Sequence, residues 1–236
     1  MLSRVALALT ALAPALLLAG CGSSDDTAAD RTTDSPTCSY PSDGTGSAGI
    51  KVTAPPATPS VSGTIKATMT TSIGAIGLAL DASGAPCTVN SFVSLAKQGY
   101  FDKTSCHRLT TAGIFVLQCG DPSGSGSGGP GYTFADELAR ANALKDDPEA
   151  SSQTGQQYKT YPAGTVAMAN AGANTNGSQF FLVYRDSPLP PMYTVFGTID
   201  AAGVQAVTTA AKAGTDDGGA DGHPKKAVDI TSVAIE

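Results

Sequence analysis

The chain has no tryptophan, only two histidines, and few charges: 14% of its 236 residues are Asp, Glu, Lys or Arg. Each shortage narrows what the protein does. Two His and five Cys with no C-x-x-C spacing argue against a zinc site, and no metal or cofactor is expected. Lys and Arg never cluster beyond Lys225-Lys226 and the net charge is −6, so the basic footprint of a nucleic-acid binder is missing. The nucleophile elbow G-x-S-x-G of a serine hydrolase is absent. The stretch GSGSGG at 124–129 matches G-x-G-x-x-G in letters only. A dinucleotide site needs that turn to open a helix, and here Gly-Pro-Gly-Tyr follows instead.

What is present begins with a leader. Arg4 precedes the apolar run VALALTALAPALLLAG, which is short for a membrane span and interrupted by Pro14. The run ends in Leu18-Ala-Gly-Cys21, which resembles the lipobox of bacterial lipoproteins. The resemblance implies a signal peptide over 1–20, lipidation of Cys21 (palmitate among the acyl chains) and an anchor in the cell membrane on its extracytoplasmic side. Residues 21–60 are rich in Ser, Thr, Asp, Gly and Pro. They bury too little apolar surface to offset ordering and are expected to form a flexible tether before a domain at 61–236. Cys38, Cys87, Cys106 and Cys119 remain for disulfides in an oxidising compartment, and their three full pairings stay open. A bond from Cys38 would staple the tether to the domain.

Past residue 60, short apolar runs alternate with turns. IKATMTT (65–71) and AIGLAL after Gly74 predict a hairpin. TVNSFVSLAKQG (88–99) places Val89, Phe92, Val93 and Ala96 on one helical face, with Thr88 as its cap and Gly99 at its end. Strands are predicted at 114–119, 164–169, 178–184, 193–199 and 227–235, and a second helix at 203–212. Residues 141–162 read as a long polar surface loop. The pattern is mainly β, and spacing leaves barrel and sandwich both open.

Four stretches occur in order: CHRLTTAGIFVLQCGD (106–121), GGPGYTFADE (128–137), MANAGANTNGSQFF (168–181) and YTVFG (193–197). Together they resemble the cyclophilin family of peptidyl-prolyl cis-trans isomerases, in its membrane-tethered bacterial form. The fold this implies is a closed eight-stranded antiparallel barrel with a helix over each end. The implied activity is rotation about X-Pro bonds of proline-containing polypeptides, with no covalent intermediate. The implied roles are Arg108 as the donor to the twisted amide, Gln118 orienting it, and His107 packing against the substrate. Phe115, Met168, Phe181 and Leu189 would line an apolar slot for the proline ring. The backbone of Ala169 and Asn170, supported by Gln179, would hold the residue before proline, and Tyr193 would reach a substrate carbonyl. For Asn174, Asn176 and Gly177 the reading is a tight turn with positive φ at Asn-Gly.

Two departures qualify these roles. The segment between Arg108 and Phe115 is longer than the usual family form, and a shift of strand register there would turn side chains to the wrong face. The family's Trp is absent from DSPLPPMYTVFG, so cyclosporin binding is expected to be weak. A catalytically weak surface protein that grips Pro-rich segments is the alternative reading. A monomer is expected.

Overall fold

The computed structural model describes residues 36–44, 46 and 50–236. The expected leader, Cys21 and the first part of the tether lie outside the described residues. Residues 35–236 form one unit of contacts, so the folded part starts well before residue 61. Cys38 is buried and bonded to Cys87, and Cys106 is bonded to Cys119. Much of the segment read as tether is therefore laid along the domain. Tyr40 packs edge-on to Tyr132 and Phe134, and its hydroxyl donates to the Cys87 carbonyl at 2.7 Å. Composition alone hides this, because the anchors are a few scattered contacts: one disulfide, the Tyr40 ring, the Thr53 backbone on Gln98, and Ile50, Val52 and Val61 against the core.

The expected hairpin is β1 (Thr64–Thr71) with β2 (Gly74–Asp81), in register with Met69 opposite Ile76. Helix α1 (Pro86–Lys97) buries the predicted face of Val89, Phe92, Val93 and Ala96. It starts before Thr88, with Ala85 as an N-cap that makes no side-chain bond. The exposed amide donors of this helix end are met from afar instead. Glu137 accepts from Cys87 N, Thr88 N and Thr88 Oγ1 at 3.0, 2.8 and 2.7 Å.

Next come β3 (Thr104–Ser105), β4 (Arg108–Thr110) and β5 (Val116–Cys119). The polar stretch 141–162 is more ordered than expected, with α2 (Ala139–Asn142), α3 (Pro148–Thr154) and β6 (Lys159–Tyr161) within or beside it. Helix α3 carries its own start and stop signals: Asp147 caps Ala150 N, Pro148 opens the first turn and Gly155 closes it at φ 71°. Then follow β7 (Thr165–Met168), β8 (Phe180–Val183), β9 (Ser187–Leu189), β10 (Val195–Ile199), α4 (Ala201–Ala211), β11 (Asp221–Gly222) and β12 (Asp229–Ile235).

Ten strands form one antiparallel sheet in the order β11-β4-β5-β8-β7-β10-β2-β1-β12-β3, and β6 pairs with β9 separately. The sheet curls into a half-barrel accompanied by four helices. Ten strands and four helices replace the eight strands and two helices that the resemblance implied. Among the described residues no ladder joins β11 to β3, but β3 runs directly into β4: Cys106 N donates to Val228 O on the β12 side at 2.9 Å and His107 N to Gln118 O of β5 at 3.0 Å.

The central strands are buried on both faces. Along β8, Phe180 and Leu182 enter the large core with Phe92, Phe101 and Phe196, while Phe181 and Val183 join a second cluster with Val116, Ala167 and Leu189. Strand geometry sends successive side chains to opposite faces, so one apolar run feeds two cores. The second cluster floors the site.

Candidate active site

Strands β4 and β5 set Arg108 directly opposite Gln118. Both line a groove of about 160 Å³ together with Ile114, Val116, Ala169, Asn170, Phe181, Leu189 and Tyr193. The longer segment after Arg108 is taken up in the turn, and the pair stays on one face. Arg108 Nη1 donates to Gln118 Oε1 at 3.1 Å. Gln118 Nε2 donates to Gln179 Oε1 at 2.8 Å, and Gln179 Nε2 donates to the carbonyls of Gly126 and Gly128. A relay of amides thus runs from the guanidinium to a glycine-rich loop.

Two expected slot residues are elsewhere. Counting back from Gln118 in twos reaches Val116 and Ile114, so Phe115 must face the other way. Its ring packs against Tyr184 at 6.0 Å, with the Arg185 guanidinium 3.1 Å over its centroid. Met168 likewise alternates with Ala167 and is buried in the large core. The slot's apolar wall is Ile114 and Val116 in place of Phe115 and Met168. The same parity count applied to the sequence would have found both.

His107 does not line the groove. It is buried beneath the loop at Gly126, where an added methyl group would come within 3.4 Å of its ring. Neither ring nitrogen has a hydrogen bond of acceptable geometry. Burial, opposed by nearby Asp121, lowers its pKa below the usual value of 6.5, so the ring is neutral at pH 7. The ring lies against Gln179, which favours its charged form only weakly beside the cost of burial.

The stretch GSGSGG has a different job from phosphate binding. Its loop wraps Asp121, which is fully buried and accepts from Ser123 N, Ser123 Oγ, Ser125 Oγ, Gly126 N and Gly128 N at 2.7–3.2 Å. Burial alone would raise this carboxyl's pKa, but the donors from Ser123 and the glycine amides outweigh it and lower it. The nest is filled by the chain's own anion.

Ala169 N donates to Gln179 O at 3.0 Å, which ties this stretch to the strand beside it. Asn170 holds the rim through its side chain, donating to Met192 O at 2.8 Å and accepting from Gly172 N at 3.2 Å. Its own backbone N–H and C=O take no partner among the described residues. Positive φ in this stretch falls at Gly172 (126°) and Asn174 (61°), not at Asn176-Gly177. Asn176 is instead buried, donating to Asp136 Oδ1 at 2.7 Å. Leu189 is presented by β9, and Tyr193 stands edge-on to Phe181 at 5.5 Å.

Besides Ile114 and Val116, sequence reasoning missed a residue that no parity count could have found. Asp221 on β11 accepts from Arg108 Nε at 2.7 Å and from Nη2 at 2.6 Å. The bond to Asp221 raises the pKa of Arg108, and in return lowers that of Asp221. At a sequence separation of 113, no local signal links the two.

The profile of the cyclophilin type peptidyl-prolyl cis-trans isomerase/CLD family matches residues 66–235. The chain is 55% identical over 173 residues to a probable peptidyl-prolyl cis-trans isomerase B of Mycobacterium tuberculosis, covering 73% of this chain and 54% of that one. A Mycobacterium leprae protein of the same description is 53% identical over 174 residues, covering 73% and 57%. The chain thus spans a little over half the length of these relatives. Crystal structures of a Cryptosporidium parvum cyclophilin type isomerase superpose with TM-scores of 0.57 and 0.56, at 26% and 27% identity. They cover 73% and 72% of this chain and 98% of that one, and the second was solved in the presence of the dipeptide Ala-Pro.

Proposed function

The chain belongs to the cyclophilin type peptidyl-prolyl cis-trans isomerase family, and on that premise we propose that its groove accelerates rotation about X-Pro bonds in proline-containing polypeptides. Rotation is slow because amide resonance must be broken, at about 18–20 kcal/mol. No bond is made or cleaved, so the groove needs no nucleophile, acid–base pair or metal. It needs only to bind the twisted amide better than the planar one. In the twisted state the prolyl nitrogen regains its lone pair and accepts a hydrogen bond that the planar amide cannot. Arg108 is the donor, permanently charged and held as a rigid fork beside Gln118.

The apolar floor of Val116, Phe181 and Leu189 takes the proline ring. The unpaired backbone of Asn170 holds the preceding residue as a short strand partner. Tyr193 is placed to reach a substrate carbonyl. The single observation that carries this reading is Arg108, bonded at 3.1 Å to Gln118, on the wall of that apolar slot. The Ala-Pro dipeptide used with the Cryptosporidium relative supports the substrate class.

Two-dimensional exchange NMR on an Ala-Pro peptide tests it. Catalytic amounts of protein are expected to produce cis–trans exchange cross-peaks. Binding shifts without exchange would leave only a peptide-binding protein. The missing Trp further implies weak cyclosporin binding, which nanomolar inhibition would contradict.

The leader motif supports a place for this activity: a monomer anchored through lipid on Cys21, facing the extracytoplasmic side of the cell membrane. There it would act on secreted and surface chains as they fold. The mass of detergent-extracted protein is expected to show cleavage before Cys21 plus acyl chains. An unmodified Cys21 would overturn the anchor without touching the catalytic reading.

A further inference from the structure

The clamp on Arg108 has two sides, and only the Gln118 side belongs to the motifs that revealed the site. A guanidinium carries five N–H donors in one plane. Asp221 takes Nε and Nη2 on one edge at 2.7 and 2.6 Å, and Gln118 takes Nη1 on the other at 3.1 Å. One proton on Nη1 and one on Nη2 remain. Because Arg108 lines the groove, the clamp decides the plane in which they are offered.

Asp221 is itself presented by backbone structure. It pairs with Thr110 across β11 and β4, beside Arg108 on the same strand. The loop that delivers it is stitched by Thr215 Oγ1 to Gly219 O at 2.7 Å, Asp216 N to His223 O at 2.9 Å and Lys225 N to Gly214 O at 2.9 Å. Thr215 is buried at its base.

Stability is a poor reason for such a device. The two side chains are 40% and 53% exposed, and exposed ion pairs add little to folding. Orientation is a better one. Misplacing a donor relative to the reacting nitrogen weakens it only in the transition state. We propose that Asp221 is a positioning residue for the isomerisation: it holds the Arg108 fork edge-on so that Nη1 faces the prolyl nitrogen. This rests on the isomerase reading above.

The test measures kcat and KM for an Ala-Pro peptide by exchange NMR in four proteins: wild type, Asp221→Ala, Arg108→Ala and the double variant. Asp221→Ala is expected to lower kcat about tenfold, or about 1.4 kcal/mol, with KM within about twofold. Asp221→Glu should recover part of the loss. The double variant should be no slower than Arg108→Ala alone, since Asp221 acts only through the fork. Unchanged kcat in Asp221→Ala, or losses that multiply in the double variant, would overturn the proposal. A readout independent of turnover is the Arg108 Nε–H resonance. It should be protected from solvent exchange in wild type and lose that protection in Asp221→Ala. A wild type without turnover would sink the isomerase reading while this signal still reported on the clamp.

Discussion

Arg108→Ala is expected to lower kcat for an X-Pro peptide by about 10²- to 10³-fold while leaving peptide affinity within about threefold. The asymmetry follows from where the guanidinium acts. In the planar amide the nitrogen lone pair is delocalised and offers no acceptor, so the ground state loses little when the donor is removed. The proline ring still fills the slot of Val116, Phe181 and Leu189, which the substitution does not touch. Arg108→Lys should recover little of the loss. A single ammonium cannot engage both oxygens of Asp221 and Gln118 Oε1 in one plane. Exchange NMR for kcat and a peptide titration for affinity separate the two quantities. A loss that appears wholly as weakened binding would show that Arg108 grips substrate and twisted amide alike, and the electrostatic account would fail.

The second large effect concerns folding. Cys38→Ser with Cys87→Ser is expected to cost about 2–4 kcal/mol, lowering Tm by roughly 5–15 °C. The bond closes a loop of 49 residues, long enough for its removal to release much chain entropy in the unfolded state. It also anchors the arm on the domain. Tyr40 sits among Tyr132, Phe134 and Asn90, and Gln98 exchanges bonds of 2.8 and 3.0 Å with the Thr53 backbone. Thermal and urea unfolding of oxidised wild type and the double variant give the number. Limited proteolysis should show new cleavage between residues 40 and 60. Identical melting curves would mean that the arm's other contacts suffice and the bond adds nothing. Turnover at 25 °C should persist, because among the described residues none of the arm lines the Arg108 groove; Asp43 reaches only the neighbouring cleft beside Gln179.

Particular residues show how far the sequence could be read. Arg108, Gln118, Ala169, Asn170, Phe181, Leu189 and Tyr193 line one groove. Phe115 and Met168 do not, because motif spacing ignores the face of the strand on which a residue lies. Phe115 stands three residues from Gln118, an odd step that sends it to the opposite side. Helix α3 is legible in Asp147-Pro148 and Gly155, start and stop signals inside a polar stretch whose composition is that of a loop. Asp221 was not legible at all.

By itself the sequence determined what is local or repeated at short period. That covers the β1–β2 hairpin, the buried face of α1 and the family motifs. These follow from alternation, helical spacing and residue chemistry within a few positions. The tertiary structure decided what depends on chain segments meeting across long separations: the strand order of the curled sheet, the Cys38–Cys87 and Cys106–Cys119 pairing, Glu137 on the end of α1 and Asp221 on Arg108. A carboxylate more than a hundred residues away leaves no periodic trace in the sequence. Its partner is chosen only when β11 pairs with β4 and brings the two charges within hydrogen-bonding reach.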